Sequence, residues 1–506
     1  MKPTANKSRA SLSADSSQVE IEGIAAALSA ARVAQTRWAA TTLAARLALL
    51  RELRHLIAEN AAQLAEASAS VRQRPALESI TAEVLPLAEA CRFLERKARS
   101  ILATRRLGAR ALPLWLWGVR REIRREPFGV VLIIGPGNYP LLLPGVQVIQ
   151  ALVAGNAVLL KPGVGGTAAA RALHKLIVRA GFDSQLVSLL PESAEAARAA
   201  IEARPDKVLF TGSAETGEKI LQQLAPHLIP AIMELSGSDA VVVRGDADLD
   251  LVTKALAFGL TLNGGATCMA PKRVFVHRSV ATELEGRLAR AFPIELSLRL
   301  APAVSASVRP MLEEALAAGV HFIAGGLHDD GSVLAPVVLG GAKPGHRLLQ
   351  EDVFAPVLVV VTVGDDDEAV TRANDCPFAL GASVFTRDES AARRLSARLD
   401  AGVVSINDLI VPTADAHIPF GGRKRSGFGV TRGAEGLLEL TTPKVVTVTR
   451  NKFRPAFEPA HPQDKAMFLA YLELAHGRGL GQRVRGLGAL FKSFSGRTKH
   501  SSQSSL

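Results

Sequence analysis

A run of 34 residues without a charged side chain, 127–160, constrains the fold of this chain more than any other feature. Its length is enough to span a bilayer. However, glycine and proline interrupt it, as at Gly135, Pro136 and Pro144, and such residues mark turns between short elements. The piece Gly129–Ile134 is a continuous apolar run typical of a buried parallel strand. We therefore predict a strand, a turn and a helix of a globular protein rather than a membrane span.

Beyond this run, strand and helix patterns alternate along the chain. The first predicted strands are Ala157–Leu160, Leu186–Leu190, Lys207–Phe210 and Ala240–Val243, with helices over Thr167–Ala180 and Ala194–Ala203. Later predicted strands are Arg273–Val276, Val357–Val363, Ala382–Phe385 and Gly402–Ile406. Strands separated by helices form right-handed βαβ units with a parallel sheet. We therefore predict an α/β fold with a doubly wound parallel-sheet dinucleotide-binding domain and a second α/β domain.

The positive charge of the chain is concentrated near its end. The formal net charge is +12, and residues 450–506 hold ten Lys or Arg against three acidic residues. Aromatic residues make up only 5% of the chain and no nucleic-acid motif is present, so we expect no nucleic-acid partner. The apolar and basic segments Ala466–Ala475 and Leu480–Phe494 suit a peripheral contact with an anionic membrane or a helix docked on protein, and both alternatives stay open.

The cysteine content predicts a reducing environment. Cys91, Cys268 and Cys376 form no CxxC pair, which argues against a disulfide framework and against a zinc site, so no metal is expected. The N-terminus has no apolar segment behind its charges, and we predict no signal peptide. These features predict a cytoplasmic protein, in which a thiol stays available for chemistry.

Three polar residues in glycine-rich sequence are candidates for catalysis. Cys268 follows a glycine break, Glu234 follows an apolar run, and Asn138 lies in the turn after the first buried strand. A thiol attacks a carbonyl carbon, an amide stabilises the resulting oxyanion, and a carboxylate activates water. Burial after an apolar run should raise the pKa of Glu234, as a base near neutral pH requires. Each residue alone also has a plainer interpretation, as a core cysteine, an ion-pair partner or an ordinary turn.

Taken together, these segments resemble the aldehyde dehydrogenase superfamily. The spacing Gly-x-x-Cys-x-Ala-x-x-Arg around Cys268 matches the nucleophile motif of the family. The resemblance implies that Cys268 is the nucleophile, that Asn138 and the Cys268 amide hold the oxyanion, and that Glu234 activates the hydrolytic water. Asn407 and the segment 419–427 match a C-terminal signature near the substrate tunnel and are most similar to class 3 members. The pair Ser238-Asp239 instead resembles the corresponding segment of semialdehyde dehydrogenases, so the identity of the substrate stays open.

The resemblance also implies NAD or NADP as the cofactor. The matching cofactor-binding positions are Lys161, Gly212, Ser213, Gly217, Asp352 and Phe354. Ser213 would cap a helix whose N-terminus faces the phosphates. Gly137 replaces the usual tryptophan, which leaves the nicotinamide side more open. Val164 replaces the glutamate that binds the ribose hydroxyls, which removes one barrier to NADP, so the choice between the two nucleotides stays open.

The activity implied is NAD(P)-dependent oxidation of an aldehyde to a carboxylic acid, through a thiohemiacetal and a thioester of Cys268. Two alternatives stay open. In a CoA-acylating enzyme CoA would resolve the thioester, and Glu234 argues against this. A catalytically silent member would instead act as a membrane- or partner-binding protein. The implied partners are a small-molecule aldehyde and further copies of the chain, in a homodimer or a higher homo-oligomer.

The domain boundaries follow from the composition and the resemblance. We predict a disordered N-terminus over 1–20, a nucleotide-binding domain over 21–107 and 128–236, a catalytic domain over 237–436, oligomerisation strands in 108–127 and 437–450, and a basic amphipathic tail over 451–506.

Overall fold

The computed structural model describes residues 5–69, 74–108, 112, 116, 118–294, 296–300, 302–327, 333–450, 457, 459 and 464–501. The chain divides into two compact units. The first comprises Met1–Thr104 and Arg124–Lys444, and the second comprises Arg105–Ile123 and Val445–Leu506.

The helices are α1 (Ala5–Ala39), α2 (Leu43–Glu59), α3 (Ala61–Ala69), α4 (Ala76–Ser79), α5 (Leu85–Ile101), α6 (Leu142–Ala154), α7 (Thr167–Arg179), α8 (Ala194–Glu202), α9 (Ala214–Leu224), α10 (Leu249–Thr261), α11 (Ala281–Ala291), α12 (Pro302–Ala317), α13 (Arg347–Gln350), α14 (Asp366–Asn374), α15 (Glu389–Ser396), α16 (Gly433–Glu439), α17 (Asp464–His476) and α18 (Leu480–Ser501). A π-helical turn, Ile80–Val84, joins α4 to α5.

The strands are β1 (Arg105–Leu107), β2 (Val119–Pro127), β3 (Val130–Ile134), β4 (Ala157–Lys161), β5 (Val187–Leu189), β6 (Lys207–Thr211), β7 (Ala231–Glu234), β8 (Asp239–Val243), β9 (Pro271–His277), β10 (Leu298–Arg299), β11 (His321–Leu327), β12 (Val333–Gly340), β13 (Val357–Val363), β14 (Phe378–Ala379), β15 (Gly381–Phe385), β16 (Val403–Ile406), β17 (Arg423–Lys424), β18 (Gly427–Phe428) and β19 (Thr441–Thr449).

The first large sheet has the order β18-β7-β6-β3-β4-β5. Strands β7 to β5 along this order are parallel, and β18 pairs with β7 in the antiparallel direction. Every residue of β3, β4 and β6 is buried, as expected for a parallel sheet covered on both faces. The uncharged run 127–160 supplies β3, the fully buried α6 and β4, which confirms the prediction of a globular strand–turn–helix unit.

The second large sheet has the order β10-β12-β13-β9-β8-β15-β16, with β11 paired to β12. The strands from β12 to β16 are parallel neighbours, which confirms a second α/β sheet. The strand predicted over Ala240–Val243 belongs to this sheet, where β8 pairs with β9 and β15. The first sheet also contains β7, a strand of four residues that the sequence pattern does not predict.

Two boundaries near the N-terminus also differ from the sequence interpretation. Helix α1 begins at Ala5, so residues 5–20 are helical where disorder is predicted. No proline or glycine lies between Ala5 and Glu22 to stop the helix that the alanine-rich segment begins. At the other end, α5 ends at Ile101, and residues 105–107, which the predicted boundary places in the nucleotide-binding domain, form strand β1 and pair with β2.

The second unit contains β1 and a helical hairpin of α17 and α18. Strands β1, β2 and β19 form a three-stranded sheet in the order β1-β2-β19. In the hairpin, Ala470 and Leu490 are buried between the helices, and a Cβ at Gly486 would lie 2.4 Å from the Leu474 nitrogen. The helices therefore cross closely at Gly486. No helix among the described residues is long and apolar enough to cross a membrane.

Candidate active site

The first sheet brings several candidate residues to one edge. The register pairs Ile134 with Lys161 on one side and with Phe210 on the other, and Thr211 pairs with Glu234. Ile134, Lys161, Thr211 and Glu234 are the last residues of their strands, so the four strands end together. Ligands of open α/β sheets bind at the carboxyl ends of the strands. The turn that contains Asn138 leaves the sheet at the same edge.

A cleft of about 790 Å³ opens along this edge. Eight residues of the predicted site line it, namely Asn138, Lys161, Gly212, Ser213, Glu234, Cys268, Asp352 and Phe354. Helix α9 begins at the cleft, and the Ser213 hydroxyl caps it by accepting the Thr216 N–H at 3.2 Å. The open N–H groups of a helix N-terminus favour an anion such as a pyrophosphate. Lys161, Arg198 and Lys219 add positive charge to the lining, so the donor set fits a dinucleotide.

The surroundings of Gly217, Gly137 and Val164 bear on the predicted cofactor contacts. Gly217 does not line the cleft; it packs on Leu235, where a Cβ would lie 2.7 Å from a methyl group. At Gly137, a Cβ would lie 2.7 Å from the Val164 carbonyl oxygen. The usual tryptophan is therefore excluded here by the backbone itself, a constraint that the sequence does not reveal. Val164 is exposed at the cleft and offers no carboxylate to a ribose.

A sharp turn places Cys268 next to Asn138. Helix α10 ends at Thr261, and Asn263 adopts a left-handed φ of 53°. Its side-chain amide donates to the carbonyl oxygens of Asn138 at 2.9 Å and of Ala266 at 3.2 Å. The glycine break predicted before Cys268 is therefore a turn locked by a buried asparagine, which holds together the loops that carry Asn138 and Cys268.

The two predicted oxyanion donors each have an N–H without an acceptor among the described residues. The Asn138 side-chain amide is buried and donates to the Ala266 carbonyl at 3.1 Å, which leaves one of its two hydrogens for a ligand. The backbone N–H of Cys268 has no acceptor among the described residues. The Tyr139 hydroxyl and the Thr267 hydroxyl, 2.7 Å apart, tie the same two loops. The pair of donors predicted for the oxyanion is thus available.

The thiol and the carboxylate are both destabilised as anions. Burial first and the Glu234 charge second raise the pKa of the half-buried Cys268 to about 12. Burial likewise raises the pKa of Glu234, as predicted, although Arg432 opposes this. One Glu234 oxygen, Oε2, accepts from the Thr211 and Thr431 hydroxyls at 3.4 Å each, whereas Oε1 is buried without a partner. A buried carboxylate oxygen without a partner is ready for a water or a substrate.

A second cavity of about 610 Å³ reaches the same residues from the other side. Its lining is mostly apolar and includes Leu77, Phe258 and Val411, which are exposed at the surface. Only Leu143, Glu234 and Cys268 line both this cavity and the nucleotide cleft among the described residues. The thiol and the carboxylate therefore stand where the two cavities meet.

Comparison with known proteins agrees with this geometry. The sequence profile of the aldehyde dehydrogenase family matches residues 2–446. The chain belongs to the aldehyde dehydrogenase family. A 4,4'-diapolycopene aldehyde oxidase from a Methylomonas species is 31% identical over 462 residues, which cover 89% of this chain and 86% of that protein. Membership confirms the predicted family and identifies the chain as an oxidoreductase that acts on aldehydes with NAD or NADP.

Solved structures give the same result for the fold. A putative aldehyde dehydrogenase from Burkholderia cenocepacia superposes with a TM-score of 0.78 at 31% identity, over 85% of this chain and 93% of that one. An NADP-dependent glyceraldehyde-3-phosphate dehydrogenase from Bacillus halodurans, complexed with NADP, has a TM-score of 0.78 at 29% identity, over 85% and 91% of the two chains. The predicted α/β fold class is confirmed.

The sequence interpretation missed or misplaced several residues at this aldehyde dehydrogenase site. Asn407 lines neither cavity; its side chain exchanges two hydrogen bonds of 2.9 Å with the Thr386 backbone and so joins β15 to β16. Arg432 was not predicted, yet it lines the apolar cavity together with Glu234 and Cys268. It follows the matched segment 419–427 by only five positions, but no spacing rule assigns it a role.

Proposed function

We propose that this aldehyde dehydrogenase oxidises a predominantly apolar aldehyde to its carboxylic acid, with Cys268 as nucleophile and Glu234 as general base. The observation that carries the proposal is the position of these two groups at the junction of the nucleotide cleft and the apolar cavity. An aldehyde that enters through the second cavity reaches the thiol, and a dinucleotide in the first reaches the same carbon.

The chain's own residues account for the covalent steps. The Cys268 thiol loses its proton to solvent, and the sulfur adds to the aldehyde carbon. The Cys268 N–H and the Asn138 amide hold the oxygen anion of the thiohemiacetal. When bound, NAD or NADP accepts the hydride from that carbon, leaving a thioester. Glu234 then removes a proton from water, which attacks the thioester carbon, and the carboxylic acid leaves with the thiol restored.

The lining of the second cavity supports an apolar substrate. Apart from Glu78, Glu234 and Arg432, the described residues around it carry no charge. An apolar aldehyde buries its chain there at about 25 cal/mol per Å² removed from water. The similarity to a diapolycopene aldehyde oxidase points the same way.

A substrate panel tests the activity. Purified protein is assayed for reduction of NAD and of NADP with medium- and long-chain aldehydes, and with succinic semialdehyde as the polar control. The proposal expects kcat/KM to rise with chain length, by up to about 3-fold to 4-fold per methylene buried. No reduction with any aldehyde would support the silent alternative. A CoA thioester product formed when CoA is added would support the acylating one.

We infer further that the hairpin of α17 and α18 contacts an anionic membrane surface. In α18, Leu480, Val484, Leu487 and Phe491 are exposed and recur at helical spacing along one face. Residues 464–501 hold seven Lys or Arg and two acidic residues. An apolar face with basic neighbours on a helix too polar to cross a bilayer suits the interface of anionic lipids, at about 1 kcal/mol for each Lys or Arg near the surface. Such a contact would place a cytoplasmic enzyme beside a supply of apolar aldehydes.

Vesicle flotation tests this contact. The full chain should float with vesicles that contain phosphatidylglycerol and not with pure phosphatidylcholine vesicles. The double variant Leu480→Glu with Val484→Glu should stay at the bottom, and the control Leu228→Glu, at an exposed site of the first unit, should float. Equal flotation of all variants would show that this face makes no membrane contact. Loss of self-association in the double variant, without vesicle binding by the parent, would show instead that the hairpin binds a second copy of the chain.

We also propose a homo-oligomer, a dimer or larger, in which β2 and β19 take part. What supports this is the exposed edge of charged and apolar residues along β19, of which Val445 and Val448 are exposed. Light scattering of the purified chain decides between a monomer and an oligomer.

A further inference from the structure

Arg432 occupies an unusual place in the apolar cavity. It is the one basic side chain among the described residues that line this cavity, which it shares with Glu234 and Cys268. Its guanidinium donates to the Thr413 carbonyl oxygen and lies 4.9 Å from the centre of the Phe420 ring. The charge is therefore held in one position by a hydrogen bond and by the face of an aromatic ring.

The backbone of Arg432 is strained. Its φ of 61° and ψ of 177° fall in a region that is nearly restricted to glycine. The residue precedes α16 and has no side-chain cap interaction with that helix. A long charged side chain at a position where glycine would be relaxed calls for a compensating function.

We propose that Arg432 is a positioning residue whose fixed positive charge keeps Cys268 and Glu234 available as anions without touching the reacting carbon. The inference rests on the proposed function, because only a nucleophilic thiol and a general base need this support. Among the described residues, no ion pair within 4 Å joins Arg432 to Glu234, so its charge acts on both groups through its electric field.

The surroundings of Cys268 explain why a cation is needed. Six titratable groups from five segments interact with the thiol, namely Glu234, Asp239, Asp352, Lys272, Tyr139 and Arg432. The three acids oppose a thiolate, and Lys272 is engaged with the Ala355 carbonyl at 2.6 Å. Burial raises the pKa of Cys268 and of Glu234, and the Arg432 charge lowers both.

A matched pair of variants separates the effect of the Arg432 charge from the effect of its hydrogen bond to Thr413. Arg432→Gln removes the charge but can still donate to the Thr413 carbonyl, whereas Arg432→Lys keeps the charge. Arg423→Met, at an exposed arginine outside both cavities, controls for loss of net charge. The readout is the pH dependence of Cys268 alkylation by iodoacetamide, followed on the Cys268 peptide by mass spectrometry. It requires no knowledge of the aldehyde.

Arg432→Gln should slow alkylation at pH 8 by about threefold to fourfold for each unit by which the thiol pKa rises, since lower thiolate content is offset in part by higher nucleophilicity. Its pH midpoint should move upward, and Arg432→Lys should stay within about twofold of the parent rate. Coincident curves for the parent and Arg432→Gln, or equal losses in Arg432→Gln and Arg432→Lys, would overturn the role of the charge. Failure of the parent to oxidise any aldehyde would instead count against the proposed function.

Discussion

At the scale of single residues, Glu234 has a proposed role as a base that conflicts with its burial. It must accept a proton during catalysis, yet it is buried at the end of β7 with one carboxylate oxygen unpartnered. Burial raises its pKa, so the folded protein binds this proton more tightly than the unfolded chain does. The stabilising contribution of this group is present at low pH and is lost as the pH rises through the folded pKa.

This pH dependence of the stability leads to a prediction for the variant Glu234→Gln. The variant should be more stable than the parent at pH 9, by about 1–3 kcal/mol, because it no longer buries an unsatisfied carboxylate. Near pH 5 the difference should disappear. Thermal unfolding at the two pH values measures it, with the exposed Glu435→Gln as control. A variant that is less stable at pH 9 would contradict the buried, proton-binding state of Glu234.

Asn138 should matter for the rate and little for substrate affinity. Asn138→Ala removes one of two oxyanion donors, which lowers kcat by about 10²- to 10³-fold. Asn407→Ala serves as the control, because it breaks two hydrogen bonds to Thr386 away from both cavities and should leave kcat nearly unchanged. Steady-state kinetics with one aldehyde suffices. Equal kcat values for the two variants would show that Asn138 is only a structural link between loops.

How far the sequence predicts such residues depends on the kind of contact they make. Cys268, Glu234 and Asn138 are predicted because their chemistry and glycine-rich context are visible along the chain. Arg432 and Thr431 are not, because their proximity to Glu234 arises only when β18 pairs with β7 and brings the following loop over the sheet edge. The position of Gly217 does not support the cofactor contact predicted for it, because this glycine packs on Leu235 and does not line the cleft.

At the scale of elements, a buried carboxylate holds the oxyanion loop in place. Glu83, in the π-helical turn, accepts the backbone N–H groups of Leu141 at 2.7 Å and Leu142 at 3.0 Å, at the start of α6. Its other oxygen pairs with the buried Arg74. The turn that carries Asn138 ends at these same residues, so Glu83 fixes the position of the proposed oxyanion donor.

Loss of this carboxylate should therefore destabilise the protein. Glu83→Gln leaves Arg74 as an uncompensated buried charge, at a cost of about 3–5 kcal/mol. The exposed pair Glu89–Arg92 offers the control, since Glu89→Gln should cost less than about 0.5 kcal/mol. Urea midpoints of the two variants compare them. A similar midpoint for both would mean that Arg74 finds another partner.

Burial makes a strand visible in the sequence, whereas its pairing partner is not visible there. The apolar runs Val130–Ile134 and Val357–Val363 are visible because parallel strands are buried on both faces. Which sheet a strand joins is decided by long-range pairing, so the alternating pattern alone does not assign Ala240–Val243 to one sheet or the other. The short edge strands β1, β17 and β18 carry no periodic pattern at all.

At the scale of the molecule, two cavities converge on one thiol. In the proposed function nucleotide and aldehyde enter from different sides, and of the described residues only Leu143, Glu234 and Cys268 line both cavities. The domain boundaries predicted from the sequence, including the oligomerisation strands and the separate tail, stay predictions about assembly. The covalent role of Cys268 is the claim on which all other parts of the account depend.

The most direct test traps the acyl intermediate. Glu234→Gln is mixed with a long-chain aldehyde and NAD or NADP, quenched within a turnover, digested and analysed by mass spectrometry. The account predicts a burst of about one reduced nucleotide per subunit and a Cys268 peptide heavier by the mass of the aldehyde less two hydrogens. Nucleotide reduction without an adduct on Cys268, or full activity in Cys268→Ala, would contradict it.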